Sequence, residues 1–188
     1  MLFLNISLIK SKLDILLLLI PCSGILFSYK ILIDLQNKQL GPKAFNTLTS
    51  INNLGLAYYN SGDYENAEPL FLEAIAGYKK ILEPSDENIR VTTNNLALTY
   101  AELGNNEKTI EYYKILIDLE EQQLGPMAHN TLLSKNNLGL TFFNLGDFVQ
   151  AKILFKQAAE GLKDTLGSDH PDTIQVFENA VAAEKEIN

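Results

Sequence analysis

Few side chains in this sequence could do chemistry. His129 and His170 are the only histidines and Cys22 is the only cysteine. His170 stands in Ser168-Asp169-His170-Pro171-Asp172, a grouping that could serve acid/base work or hold a metal. Pro171 at the loop end and Asp172 at a helix start give the same residues a structural use. No histidine pair falls at i, i+4, and no glycine-rich loop carries the lysine of a phosphate cradle. One cysteine excludes a disulfide framework and any multi-cysteine zinc site. The many serines and threonines lack a base partner, and paired carboxylates such as Glu120-Glu121 are expected on a solvated helix face. We therefore expect no catalytic, cofactor or metal site, and no enzyme activity in this chain.

The elements that would position a site follow from length and repetition. The 188 residues are 46% hydrophobic and 20% charged, enough for one or two domains with an ordinary core. A net charge of −8 argues against nucleic acid, whose binding needs a basic face. Asn-Asn-Leu occurs at 52–54, 94–96 and 136–138, steps of 42 residues, with a fainter copy at Glu178-Asn179-Ala180. Gly62-Asp63-Tyr64, Gly104-Asn105-Asn106 and Gly146-Asp147-Phe148 keep the same step. So do Leu40-Gly41, Leu82-Glu83, Leu124-Gly125 and Leu166-Gly167. The repeats run 39–80, 81–122 and 123–164, after a partial repeat at 29–38 and before a half repeat at 165–188. Tyr29-Lys30-Ile31-Leu32-Ile33-Asp34-Leu35 recurs letter for letter at 113–119, which points to duplication of a two-repeat unit.

Within each repeat the apolar residues keep helical spacing. Ile51, Leu54, Gly55 and Tyr58 fall at i, i+3, i+4 and i+7, and Ala67, Phe71, Ala74 and Tyr78 do so on the next helix. Asn46, Asn88, Asn130 and Asp172 sit where the first helix needs an N-cap, and Asp63, Asn105 and Asp147 where the second does. Gly55, Ala97 and Gly139 are expected to face Ala67, Thr109 and Ala151, so that paired backbones approach closely. One pair cannot bury its stripe alone, so neighbouring pairs must stack. The fold class is all-α, a right-handed α-solenoid of stacked antiparallel helix pairs.

This arrangement resembles the tetratricopeptide repeat. Repeat one supplies Leu54, Gly55, Tyr58, Gly62, Tyr64, Ala67, Phe71 and Ala74; repeat three supplies Leu138, Gly139, Phe142, Gly146, Phe148, Ala151, Phe155 and Ala158. The 42-residue length, Asn-Asn-Leu, Glu-Pro-Leu at 68–70 and Leu-Gly-x-x-His-Pro-x-Thr at 166–173 look like the kinesin light chain and nephrocystin-3 type. The resemblance covers 29–188 and assigns the His170 loop to an inter-repeat turn. Asn106, Thr109 and Leu116 depart from the pattern, so the second pair is expected to be looser or rotated.

Residues 1–28 fall outside the repeat. Lys10 and Lys12 precede an apolar stretch interrupted by Asp14 and Pro21, and Ser23-Gly24 offers small residues. Three readings stay open: a signal or membrane anchor, a structural cap on the solenoid, or translation from outside the true exon. The expected compartment is the cytoplasm, or a membrane or the exterior if the leader is real.

What remains is a surface. The resemblance implies that the first helix of each pair lines a concave groove. The groove candidates are Asn52, Leu56, Tyr59 and Asn60; Asn94, Leu98 and Glu102, with Ala101; and Asn136, Leu140, Phe143 and Asn144. A ladder of amides can hold an extended peptide by its backbone, with apolar pockets between the rungs. The same asparagines could instead bond neighbouring helices and fix the stacking. The expected function is a non-catalytic scaffold binding a protein or peptide partner. The alternative is a regulatory arm truncated from a larger multidomain protein, a nucleotide switch or protease, whose activity lies elsewhere. End-to-end self-association is a third use of such a surface.

Overall fold

The computed structural model describes residues 22–84 and 86–187. Among them lie eight helices: α1 Cys22–Leu40, α2 Phe45–Asn60, α3 Tyr64–Ile81, α4 Glu87–Glu102, α5 Asn106–Leu124, α6 His129–Asn144, α7 Phe148–Leu166 and α8 Pro171–Ile187. The leader up to Pro21 lies outside the described residues, while α1 runs through residue 28 without a break. No described helix is long and apolar enough to cross a membrane.

The chain divides between Gly77 and Tyr78 into two compact units. In the first, α1 packs against α2. In the second, α4 to α8 pack each against the next, and α6 also touches α8. This is the α-solenoid of stacked antiparallel pairs that the 42-residue step predicts. Within each pair the tight turn needs a left-handed residue. Gly62, Gly104 and Gly146 fill it at φ of 79°, 69° and 78°, a region that a side chain would strain.

The second helices start where expected. Asp63, Asn105 and Asp147 accept the amides of Asn66, Lys108 and Gln150. The first helices do not. Asn46, Asn88 and Asn130 stand two residues inside, and the caps are Ala44, Asp86 and Ala128. The cause lies in the preceding loop. The Ala44 and Ala128 amides close turns on the Gly41 and Gly125 carbonyls, which also accept the hydroxyls of Thr47 and Thr131. Turn and helix are thereby joined two residues early. In repeat two Asp86 takes over, accepting both the backbone and side-chain N–H of Asn88. In α8 the His170 imidazole Nδ1 accepts the Asp172 amide, so His170 caps the helix and Asp172 lies within it.

Small residues let the helices of a pair approach closely. Gly55 and Gly139 lie beneath the rings of Phe71 and Phe155, where a Cβ would come within 2.9 and 2.7 Å. A second small-residue contact was missed. Gly77 receives Leu48 and Gly161 receives Leu132, at 2.2 and 2.6 Å from a would-be Cβ. Successive clusters continue the core: Ala97, Tyr113, Leu116 and Leu138; then Leu132, Ala158, Leu162 and Val176; then Ala151, Phe155, Ala180 and Ala183. The departing residues of the second pair differ in burial, and Asn106 is exposed. Leu116 is buried, and buried Thr109 returns its hydroxyl to the Asn105 carbonyl.

Candidate interaction surface

Helices α2, α4 and α6 carry the predicted groove residues at matching register. In the first unit Asn52 is half-buried with its amide toward Asn53, Asn60 is exposed, and Tyr59 meets Tyr64 edge-on at 5.3 Å. Leu56 is 37% exposed, unlike the core leucines on the same helix. In the second unit Leu140 repeats this at 38%, Asn144 is exposed, and Phe143 meets Phe148 edge-on at 5.1 Å. Leu98 is half-buried against the Ala97–Tyr113 cluster, and Glu102 and Ala101 are exposed. The aromatic pair is missing from repeat two, where Ala101 and Asn106 occupy its positions.

The amide ladder is not uniform. Asn136 is only 8% exposed, and its Oδ1 accepts the Asn179 side-chain N–H from α8 at 2.9 Å. This rung joins neighbouring helices, as the stacking alternative has it. Asn94 is half-buried and lines a cleft of about 240 Å³ with Val91 on α4 and Leu133 and Asn137 on α6. Arg90 and Glu120 also line the cleft, at 9% and 5% exposed, so Glu120 is not on a solvated face. Burial pushes the Glu120 carboxyl above its ordinary value, opposed by the Ser134 hydroxyl that bonds it and by the charge of Arg90. The Nε of Arg90 and the Oε2 of Glu120 are buried without a hydrogen-bond partner.

Tetratricopeptide repeat models match the chain over residues 47–87 and, directly following, 88–164. The chain belongs to the tetratricopeptide repeat family. Among solved structures, this tetratricopeptide chain is similar to a Podosopora anserina protein described as a kinesin light chain with nearly identical repeats. The identity is 20% and the TM-score 0.78, over 88% of this chain and 79% of that one. A substituted form of the same protein gives 0.79 at 20% identity, over 88% and 78%. BtubC (BKLC) from P. vanneervenii superposes at 0.62 with 18% identity, over 88% and 68%. The Sgt2 domain from Aspergillus fumigatus gives 0.54 with 18% identity, over 74% and 78%. No curated protein matches the sequence. These likenesses show the α-solenoid fold, and the tetratricopeptide repeat family to which the chain belongs is one of protein–protein interaction scaffolds.

One grouping of titratable residues was not foreseen. His129 Nε2 donates to Asp172 Oδ2 at 2.7 Å, and His170 stands edge-on to His129 at 6.3 Å. The spacing of 43 residues between His129 and Asp172 is nearly one repeat, which is the signal that could have found it. Their partners are explained by structure: the bond ties the start of α6 to the start of α8, and His170 caps α8. No cluster suited to a metal occurs among the described residues.

Proposed function

We propose that this chain is a non-catalytic scaffold that takes an extended partner peptide on the faces of its first helices α4 and α6, with the same register repeated on α2 in the other unit. The observation that supports the reading most is the exposure of Leu56 and Leu140. They are 84 residues apart at one register position, each more than a third exposed, on helices whose core leucines are buried. Leaving apolar side chains in water there forgoes stabilisation that burial would give, which is reasonable where a partner supplies the cover. Asn94, between them in sequence, adds an amide that can bond a peptide backbone in either sense. Asn52, Tyr59, Asn60, Leu98, Glu102, Phe143 and Asn144 flank these residues, while Asn136 serves the stacking.

The test is a random-peptide display library selected on the whole chain. Asn94→Ala with Leu140→Ala should abolish retention of selected peptides while circular dichroism stays helical. Retention unchanged by both substitutions sinks the assignment. As a regulatory arm of a longer multidomain protein, the chain would use the same surface and place any activity elsewhere. A second reading, self-association, is favoured by the exposed apolar face of α8, where Ile174, Phe177 and Val181 line an open cleft of about 690 Å³. Elution in size-exclusion chromatography that shifts with concentration, and ceases to shift in Phe177→Asp, would support it.

A further inference from the structure

Three positions change together between repeats. Repeat one has Leu48, Gly77 and Tyr78; repeat three, at the same register, has Leu132, Gly161 and Leu162. Both leucines sit on their glycines, and all these side chains are buried. Repeat two has Arg90, Leu119 and Glu120 instead. With Leu119 occupying the glycine position, a leucine at 90 would lose its seat. The register carries a cation and a carboxyl where its neighbours carry uncharged side chains.

Such an exchange is costly unless something compensates. Replacing buried charges by apolar residues is often neutral or stabilising, and an uncharged solution already exists twice in this chain. Arg90 and Glu120 are each more than nine-tenths buried, line the same cleft, and leave Nε and Oε2 without partners. The cleft has room for a side chain rather than a single water. Val91 and Leu133 are its apolar walls, Asn130, Ser134 and Asn137 add polar ones, and Asn94 joins it to the face described above.

We propose that this cleft is a specificity pocket for a side-chain carboxamide, glutamine or asparagine, of the bound peptide. A carboxylate would satisfy the guanidinium but meet Glu120, and an ammonium would satisfy Glu120 but meet Arg90. A hydrocarbon would satisfy neither. A primary carboxamide carries an acceptor and a donor on one end without net charge, and its methylene stem suits the Val91 and Leu133 walls. The proposal rests on the peptide-binding reading.

The experiment is an array of library-selected peptides with each position varied through Gln, Asn, Glu, Lys and Leu. It is probed with the whole chain and with Arg90→Leu/Leu119→Gly/Glu120→Leu, which installs the residues of repeat three. The expected result is one position where Gln or Asn is retained about ten-fold better than Glu, Lys or Leu, as bonds to charged groups imply. That preference should vanish in the triple variant while peptides with Leu there still bind. Arg90→Met, which keeps the aliphatic stem, serves if the triple variant loses helix, and should lose the preference too. Peptide binding with no carboxamide preference, or a preference that survives both variants, overturns the pocket and leaves the groove standing. Retention of no peptide overturns both. Displacement of the peptides by free L-glutamine would mean the pocket takes a free amino acid and would overturn the peptide assignment.

Discussion

Gly161→Ala should reverse sign according to what stands opposite. In the native chain the new Cβ would lie 2.6 Å from Leu132 Cδ2 and 2.8 Å from Cδ1, closer than carbon contacts tolerate. Leu132 is buried among Ala158, Leu162 and Val176, so its branch cannot swing into open space. Overpacking of this kind costs about 1–3 kcal/mol. Against it stands the gain from replacing a helix-interior glycine, about 1 kcal/mol. The net expectation is a loss of about 0–2 kcal/mol. Leu132→Ala alone should cost about 2–5 kcal/mol by leaving a void. In that background the clash is gone and only the helix gain remains, so Gly161→Ala should stabilise by about 1 kcal/mol. The four proteins form a double-mutant cycle with a coupling of about 1–3 kcal/mol, equal to the clash that is removed. Urea denaturation followed by far-ultraviolet circular dichroism, with a shared slope, measures all four. A coupling below experimental error would refute the claim that Leu132 is seated on Gly161, and with it the covariation argument for Arg90 and Glu120.

Ala151→Leu should lose about 1–3 kcal/mol in the same urea assay, because Ala151 is fully buried with Phe155, Ala180 and Ala183. Asp147→Ala should lose about 1 kcal/mol as the cap accepting the Gln150 amide, whereas Asn130→Ala, exposed and inside its helix, should change little. Equal losses at these two positions would contradict the observed caps. Glu120 gives a pH dependence of defined sign. Its carboxyl is pushed above 4.5 chiefly by burial, so the folded state holds a proton that the unfolded state has released. Stability should therefore fall as pH rises from about 4.5 through the raised folded-state value, and Glu120→Gln should remove that slope. Glu184, lowered by its bond to Lys152 and the nearby Lys156, acts in the opposite sense as pH falls below 4.5. Urea midpoints of Glu120→Gln and Glu184→Gln across that range separate the two, and an unchanged slope in Glu120→Gln would refute its assignment.

The fold was legible because a 42-residue step carries helix, turn and cap together. Gly62, Gly104 and Gly146 announce left-handed turns by residue type, and the second-helix caps follow at once. The first-helix caps were not legible. Asparagine suits that role by propensity, but the Gly41 and Gly125 carbonyls had already drawn in Thr47 and Thr131 and started the helix earlier. The glycines at 77 and 161 read as ordinary helix residues, since their use depends on leucines 29 positions away. Glu120 was misplaced for a related reason. Beside Glu121 in a charged stretch it reads as solvated, and only comparison with Tyr78 and Leu162 at the same register reveals a buried position. Asn136 shows the limit for the groove: three asparagines look equivalent in sequence, and the bond from Asn179 distinguishes one of them.

The seating of Leu48 on Gly77 and of Leu132 on Gly161 also bears on how such a gene can rearrange. Each contact joins the two helices of one repeat, and repeat two satisfies the same register with a different set. Unequal crossing-over in the loops between repeats transfers a matched set whole, and the letter-for-letter copy at 29–35 and 113–119 agrees with exchange in blocks. A crossover within the Gly104 or Gly146 turn would instead join the first helix of one set to the second helix of the other. One product would press a leucine against Leu119, and the other would set an arginine over a bare glycine. Selection should therefore retain breakpoints between repeats and discard those in the inner turns.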